Sequence, residues 1–317
     1  MSFVDGAFVD ARARSLLPCA LLAALATAPG RASAAACCVS ATSFGVGRLL
    51  AWEDAAVGVQ LGHARSLGQW DSTGSLRWNA SDFSDGLTTA QVWGILRVHD
   101  RVQAQGWVPF VVNDRRSAGQ SQLAGGLGDA GAAARVEVLK IGEYQGLPSF
   151  AFTIGALAPT GKRVEQTSPP LFAGATGRGA WGGSLALESE YAFLPWFVRL
   201  DGGVTGYLPF RRSDTGQHQR YGPVVQAGLS SGRELLPDVL VAAVALTGEW
   251  ESSIVVDGDA VPRSHSRSYA LAGSLAWRFD PRWTITASVH NTVWPSGANV
   301  NRDARLGFTI GVRRGHF

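Results

Sequence analysis

The chain has 317 residues, with 28 Lys and Arg against 25 Asp and Glu, for a net charge of only +3. That length admits one large β domain, and the small charge without a basic cluster gives no grounds for a nucleic-acid partner. The three cysteines, Cys19, Cys37 and Cys38, all lie near the start, which excludes a disulfide framework or a paired-cysteine metal site in the rest of the chain. The 39 glycines, 11 tryptophans and 17% charged residues fit a curved sheet with aromatic belts better than a soluble sandwich.

Residues 1–36 read as a secretory signal. Arg12 and Arg14 give a positive flank, residues 16–28 an apolar core, and Ala32-Ser33-Ala34 a small-residue cleavage site. The core is shorter than the about 20 residues a bilayer-spanning helix needs, and no later stretch reaches that length. Residues 37–54 follow as a periplasmic segment. A lipoprotein site favours Leu three places before its Cys, where this chain has Ala34, so Cys37-Cys38 stays open between lipidation, a redox pair and no role.

From residue 55 the chain alternates β runs with turn-rich breaks. A run at 55–63 is followed by a polar loop at 65–86. Runs 88–99 and 101–112 form a hairpin around Asp100, and 113–128 is a second polar loop. Runs 130–141 and 149–158 flank a turn at 142–147 and lead into a long loop at 159–179. Runs 180–192 and 197–208 join at 193–196; loop 209–219 follows. Runs 221–231 and 239–250 join at 232–238, before loop 251–266. Runs 268–279 and 283–293 join at 280–282, before loop 294–303, and 304–314 is the last run. This predicts an all-β antiparallel transmembrane β-barrel of about 12 strands over 55–317, with short periplasmic turns and long extracellular loops. Crossing a bilayer as a tilted strand takes about 9–11 residues, and these runs match that length.

Each run carries an apolar parity and a small or polar one, as period-two alternation requires of a strand with two different faces. Tyr269, Leu271, Leu275, Trp277 and Phe279 oppose Ala270, Ala272, Ser274, Ala276 and Arg278. A soluble sheet alternates too. What favours lipid is aromatic residues at strand tips, the position of interfacial girdles: Trp181, Tyr191, Phe193, Trp196, Tyr207, Tyr221, Trp250, Tyr269, Trp277, Phe279, Trp283 and Trp294. The polar parity then lines a lumen. It carries Gln91, Arg97 and His99; Gln103 and Gln105; Arg135 and Glu137; Glu188 and Glu190; Arg199 and Asp201; Gln226; Glu249; Arg278; His290; and Arg305, with Trp93 and Trp107 as aromatic contacts for a ring-shaped solute. These charges can set which solutes pass, or pair across strands and hold the barrel rigid.

Gly125-Gly126-Leu127-Gly128-Asp129, with Ala158-Pro159-Thr160-Gly161 about thirty residues later, resembles the bacterial outer-membrane proteins named for the MetA pathway of phenol degradation. Trp107-Val108-Pro109-Phe110-Val111 and the Cys37-Cys38 pair are similar to that family as well. The resemblance covers most of the mature chain in layout and residues 107–161 in motif. It implies a barrel channel or transporter and carries over no catalytic residue. Phe317 departs from the barrel pattern: its parity is opposite to Leu306, Phe308, Ile310 and Val312, so either Gly315 makes a bulge or the assembly signal is weak.

Two enzyme-like motifs fail on context. Gly228-Leu229-Ser230-Ser231-Gly232 lacks the helix a nucleophile elbow needs, and Gly126-Leu127-Gly128-Asp129-Ala130-Gly131 lacks the strand and helix of a dinucleotide site. The six His are too scattered for zinc. The expectation is an outer-membrane channel for small, hydrophobic or aromatic solutes. It needs no cofactor, and its partners are outer-membrane lipid, the solute and the barrel-assembly machinery. The alternatives are a phospholipase-like barrel hydrolase built on Ser264, His265, Ser266 and His290, and a structural or adhesive barrel with a closed lumen.

Overall fold

In this computed structural model, residues 47–292 and 298–317 are described. The signal segment, Cys37-Cys38 and Trp294 lie outside them. Twelve strands form the wall: β1 (Ala55–Trp70), β2 (Ser84–His99), β3 (Val102–Ser117), β4 (Ala130–Leu139), β5 (Ser149–Ala158), β6 (Gly182–Phe193), β7 (Trp196–Tyr207), β8 (Val224–Leu236), β9 (Leu240–Glu251), β10 (Ser266–Asp280), β11 (Trp283–Asn291) and β12 (Arg302–His316). Each pairs antiparallel with its sequence neighbours, and β12 closes on β1 from Ala55↔His316 to Trp70↔Arg302.

Alternation sorts the side chains. Val57, Val59, Leu61, Val92, Ile154, Leu185 and Leu200 stand about half exposed on the outside, while the intervening residues turn inward. An apolar outer band on a wall with no free edge is the form a β protein needs in hydrocarbon, where every backbone polar group must be paired within the protein. The chain is an outer-membrane β-barrel.

The strands run further than the polarity of the sequence indicates. The stretches 65–86 and 113–128, expected as loops, are largely ladder: β1 extends to Trp70, β2 starts at Ser84, and β3 reaches Ser117. The outer half of β3 pairs with Gln120–Leu127 through a tight turn at Ala118 (φ 50°) and Gly119 (φ 78°), both left-handed as a two-residue hairpin demands. This ribbon stands beyond the apolar band. One of its faces is exposed and the other bonds loop backbone through Asn113 and Arg115, so polar residues there do not signal a loop. Gly315 makes no bulge; β12 stays in register with β1 from Leu306 to His316.

Glycines on the inner face make room for large rings. Trp93 lies against Gly58, Trp107 against Gly131, and Phe197 against Gly232, each so closely that a Cβ would overlap the ring.

The two motif pieces about thirty residues apart meet as a lock on loop 159–181. Thr160 Oγ1 donates to the Gly128 carbonyl (2.5 Å) and accepts from the Ala130 N–H (2.9 Å). The Asp129 carboxylate accepts backbone N–H groups from Gly161 (3.0 Å), Arg178 (2.6 Å) and Gly179 (3.2 Å). A Cβ at Gly177 would stand 2.7 Å from Asp129. Farther along the loop, Asn113 Nδ2 donates to the carbonyls of Ala173 (2.7 Å) and Ala175 (2.8 Å), and Arg115 to that of Leu171 (2.9 Å). Charge-assisted bonds at both loop ends hold the segment against the β3 ribbon.

Three variants check this packing. Gly131→Ala forces Trp107 off the wall and lowers the urea unfolding stability in detergent by about 1–3 kcal/mol. Gly273→Ala, where a Cβ meets nothing within 4 Å, is near neutral. Asp129→Ala frees loop 159–181, so trypsin cuts after Lys162 and Arg163 several-fold faster than in the parent, read by mass spectrometry of the fragments; unchanged cleavage removes the lock.

Candidate functional site

The inner face carries a layered set of ion pairs. Near the turn side, cross-strand register sets Arg199 opposite Glu190 and Asp201 opposite Glu188. Arg135 bridges Glu137 (2.5 Å) and Glu188 (2.8 Å), and Arg199 reaches the other oxygen of Glu188 (2.6 Å). The side chains of Arg135 and Arg199 are 5% and 2% exposed, so pairing is what makes these buried charges tolerable.

A piece of chain ahead of β1 enters the same space. Arg48, Leu49, Leu50 and Glu53 are 4%, 3%, 1% and 1% exposed. Arg48 pairs with Glu190 (2.7 Å), and the Leu49 N–H donates to Gln103 Oε1 (3.1 Å). Arg97 donates to the carbonyls of Leu50 (2.7 Å) and Glu53 (2.9 Å). The Glu53 carboxylate accepts the Leu50 N–H (2.7 Å) and pairs with Arg313, and it fills the space over Gly315 that a Cβ would need. Leu49 joins Ala56 and Ile95 in a buried apolar cluster backed by Trp93. Residues 48–53 thus run inside the turn-side end, tied to β2, β3, β6 and β12.

The loop-side mouth is built around Arg178, brought in by loop 159–181. Arg178 holds both oxygens of Glu251 (2.5 and 3.0 Å) and lies over the rings of Tyr207 (4.8 Å) and Tyr221 (5.1 Å). Burial works against its charge, yet the hydrogen bond and charge of Glu251 hold its pKa above the ordinary arginine value. Arg302 joins Glu249 to Glu251, Gln226 donates to Glu249 (2.6 Å), and Arg305 pairs with Asp85 (3.2 Å) and Asp303 (2.7 Å). Tyr207 and Tyr221, expected in the lipid-facing girdle, contact this inner cluster instead. Tyr207 shares the parity of Arg199 and Asp201 on β7, and strand parity outranks position at the tip.

One line of the inner wall is small and uncharged. Ala243, Ser274, Ser288, Thr309, Gly62 and Thr89 follow one another through cross-strand register, from near the β8–β9 turn to the loop-side half of β2. The opposite arc carries Trp107, half-buried over Gly131.

Of the residues assigned to the lumen, Gln91, Arg97, Gln103, Gln105, Arg135, Glu137, Glu188, Glu190, Arg199, Asp201, Gln226, Glu249, Arg278, His290 and Arg305 are buried or half-buried on inward positions. His99 is not: a register shift after Arg97 leaves it exposed at the β2–β3 turn. Arg48, Glu53, Arg178, Glu251, Arg302 and Arg313 were missed. Parity could have found Glu251 and Arg313; nothing local marks Arg48 or Arg178. The hydrolase set is not assembled as a dyad. Ser264 Oγ bonds loop backbone at Val261 and Ile254, Ser266 Oγ meets Glu251, and the ring of His290 lies over Gly307 on the inner face. Among the described residues no group of three or more His, Cys, Asp or Glu could hold a metal.

No protein-family model and no curated protein matches the chain. Solved structures do. The crystal structure of an outer membrane channel from Pseudomonas putida F1 is similar at a TM-score of 0.69 and 15% identity, covering 87% of this chain and 99% of that one. The transport unit of the autotransporter AIDA-I from Escherichia coli gives 0.47 at 6% identity, covering 83% and 90%. A mutant of the TodX monoaromatic hydrocarbon channel gives 0.41 at 9%, covering 84% and 91%. At 15% identity the first of these likenesses concerns the fold, which is that of an outer-membrane β-barrel.

Proposed function

We propose that the chain is an outer-membrane channel for small apolar or aromatic solutes, closed on its turn side by residues 48–53. One observation supports this reading: a line of small uncharged residues, from Ala243 to Thr89, runs along the inner wall, while the charges toward the two ends of the barrel are engaged in ion pairs. Paired charges leave little net field to draw ions, while Gly, Ala, Ser and Thr leave width. Trp107, half-buried over Gly131, offers an aromatic contact to such solutes. The resemblance of Gly128-Asp129 and Pro159-Thr160-Gly161 to the family named for phenol degradation supports the same solute class. A solute enters past loop 159–181 and leaves when the stopper yields.

The stopper rests on buried ion pairs, and removing one partner of such a pair costs about 3–5 kcal/mol. The expected result in a planar bilayer is a nearly silent parent and steady single-channel steps from the Arg48→Ala/Glu53→Ala variant. In that opened variant Glu188→Ala turns selectivity toward anions and Arg199→Ala toward cations. Uptake of phenol into vesicles rises with the opened variant. A variant that folds, inserts and stays silent rejects the channel in favour of a structural barrel.

A further inference from the structure

At the loop-side end of β8, β9 and β10 the wall meets a cavity of about 550 Å³. Val225, Trp250 and Arg267 line it and stand side by side across the three strands through cross-strand register. Their parity is that of the lipid-facing residues. Two positions into the membrane the same strands present Ala227, Gly248 and Tyr269, and two further Leu229, Leu246 and Leu271, 50%, 43% and 46% exposed. Trp250 lies down this wall over Gly248, where a Cβ would stand 2.7 Å from its ring, and meets Tyr269 edge-on at 5.6 Å.

The rest of the lining is polar and includes Ser72 of the β1–β2 loop, Ser252 and His265. Asn301 ties these pieces together: its N–H donates to the Asp71 carbonyl (3.3 Å) and its side chain to that of His265 (2.8 Å). Arg267 is fixed by backbone pairing with Val300 and by Nε donating to the Ala298 carbonyl (2.5 Å). It forms no ion pair among the described residues. Glu251 is the one acid on the lining; it has the inner parity and holds Arg178 and Arg302. Neither of those arginines lines the cavity, whereas Val225 and Trp250 do, so the cavity faces the outer wall and not the lumen. Asp71, on the neighbouring loop, is taken up by Thr73, Ser75 and Arg77.

We propose that this cavity holds a phosphorylated glucosamine of lipid A from the outer leaflet. Its phosphate lies on Arg267 and His265, its sugar against Trp250, and its acyl chains along the wall from Tyr269 to Leu271, Leu246 and Leu229. A guanidinium without a carboxylate, set above an apolar wall, suits a phosphate at the head of acyl chains. An indole with hydroxyls around it suits a sugar ring, which is apolar on its face and polar at its edge. The long loops mark the outer end of the barrel, so phospholipid of the periplasmic leaflet does not reach this level.

The test is native mass spectrometry of the detergent-purified chain with lipid A, phosphatidylglycerol or phosphatidylethanolamine added. The parent is expected to retain lipid A best. Arg267→Gln should lower that retention about fivefold, the effect of one basic residue at an anionic surface. Trp250→Leu should lower it while leaving phosphatidylglycerol retention unchanged, as loss of a sugar contact requires. Ser72→Asp, on an exposed loop, puts an acid into the cavity without touching the wall and should lower it as well. Arg116→Gln, exposed on the loop-side ribbon, should leave it intact. Heat-shifted gel mobility reports folding, and if Arg267→Gln does not fold, Ser72→Asp carries the test. Equal retention of lipid A and phosphatidylglycerol, or lipid A retention unchanged by the cavity variants, overturns the site. Tighter retention of phosphatidylglycerol through Arg267 overturns lipid A as its occupant.

Discussion

In hydrocarbon a backbone N–H or C=O has no water to turn to, so a sheet that enters lipid must close on itself. Here closure is the pairing of β12 with β1 over their full length. It decides what each strand parity does. One parity meets lipid and carries Val, Leu, Ile and aromatic rings. The other meets a confined, wet interior, where charge is tolerable when paired. The glycines belong to the same constraint: a narrow lumen with tryptophan and phenylalanine on its wall has no space for a Cβ at Gly58, Gly131 or Gly232.

Inside that wall the charges act as fasteners. The turn-side layer around Arg135, Glu188 and Arg199 spans four strands, β4 to β7, and extends to the stopper through Arg48 and Glu190. The loop-side layer around Arg178, Glu251 and Arg302 joins loop 159–181 to the wall. Both layers hold segments that are not strands. In a barrel fastened this way, a segment is displaced more easily than the wall is deformed, because the ladder resists deformation and the ion pairs can exchange for water.

The outer wall uses arginine differently. Arg233 and Arg314 rest on the rings of Trp196 and Trp283 at the turn-side rim, an arrangement in which the stem lies in apolar surroundings and the head reaches outward.

The strand count, the antiparallel barrel and the facing of residues such as Arg135, Glu188 and Arg199 were legible in the sequence. Period two is a local property, and a one-residue error would put charge in lipid. Polarity misled at 65–86 and 113–128, because polar side chains there, such as Ser66, Asp85 and Asn113, are buried against partners instead of marking loops. Position misled for Tyr207, which parity turns inward. The Gly-Asp and Pro-Thr-Gly pieces were visible as motifs, but their meeting as a loop lock was not. Asp129 finds its partners up to 50 residues along the chain, and only folding places Gly179 beside it. The same holds for residues 48–53, which carry no mark of a stopper. Arg48 meets Glu190 across 142 residues and Glu53 meets Arg313 across 260. The sequence by itself determined which face of each strand meets lipid, since that follows from alternation. Which segments fill the lumen was decided by the tertiary structure, since it depends on charges that become neighbours only when the barrel closes.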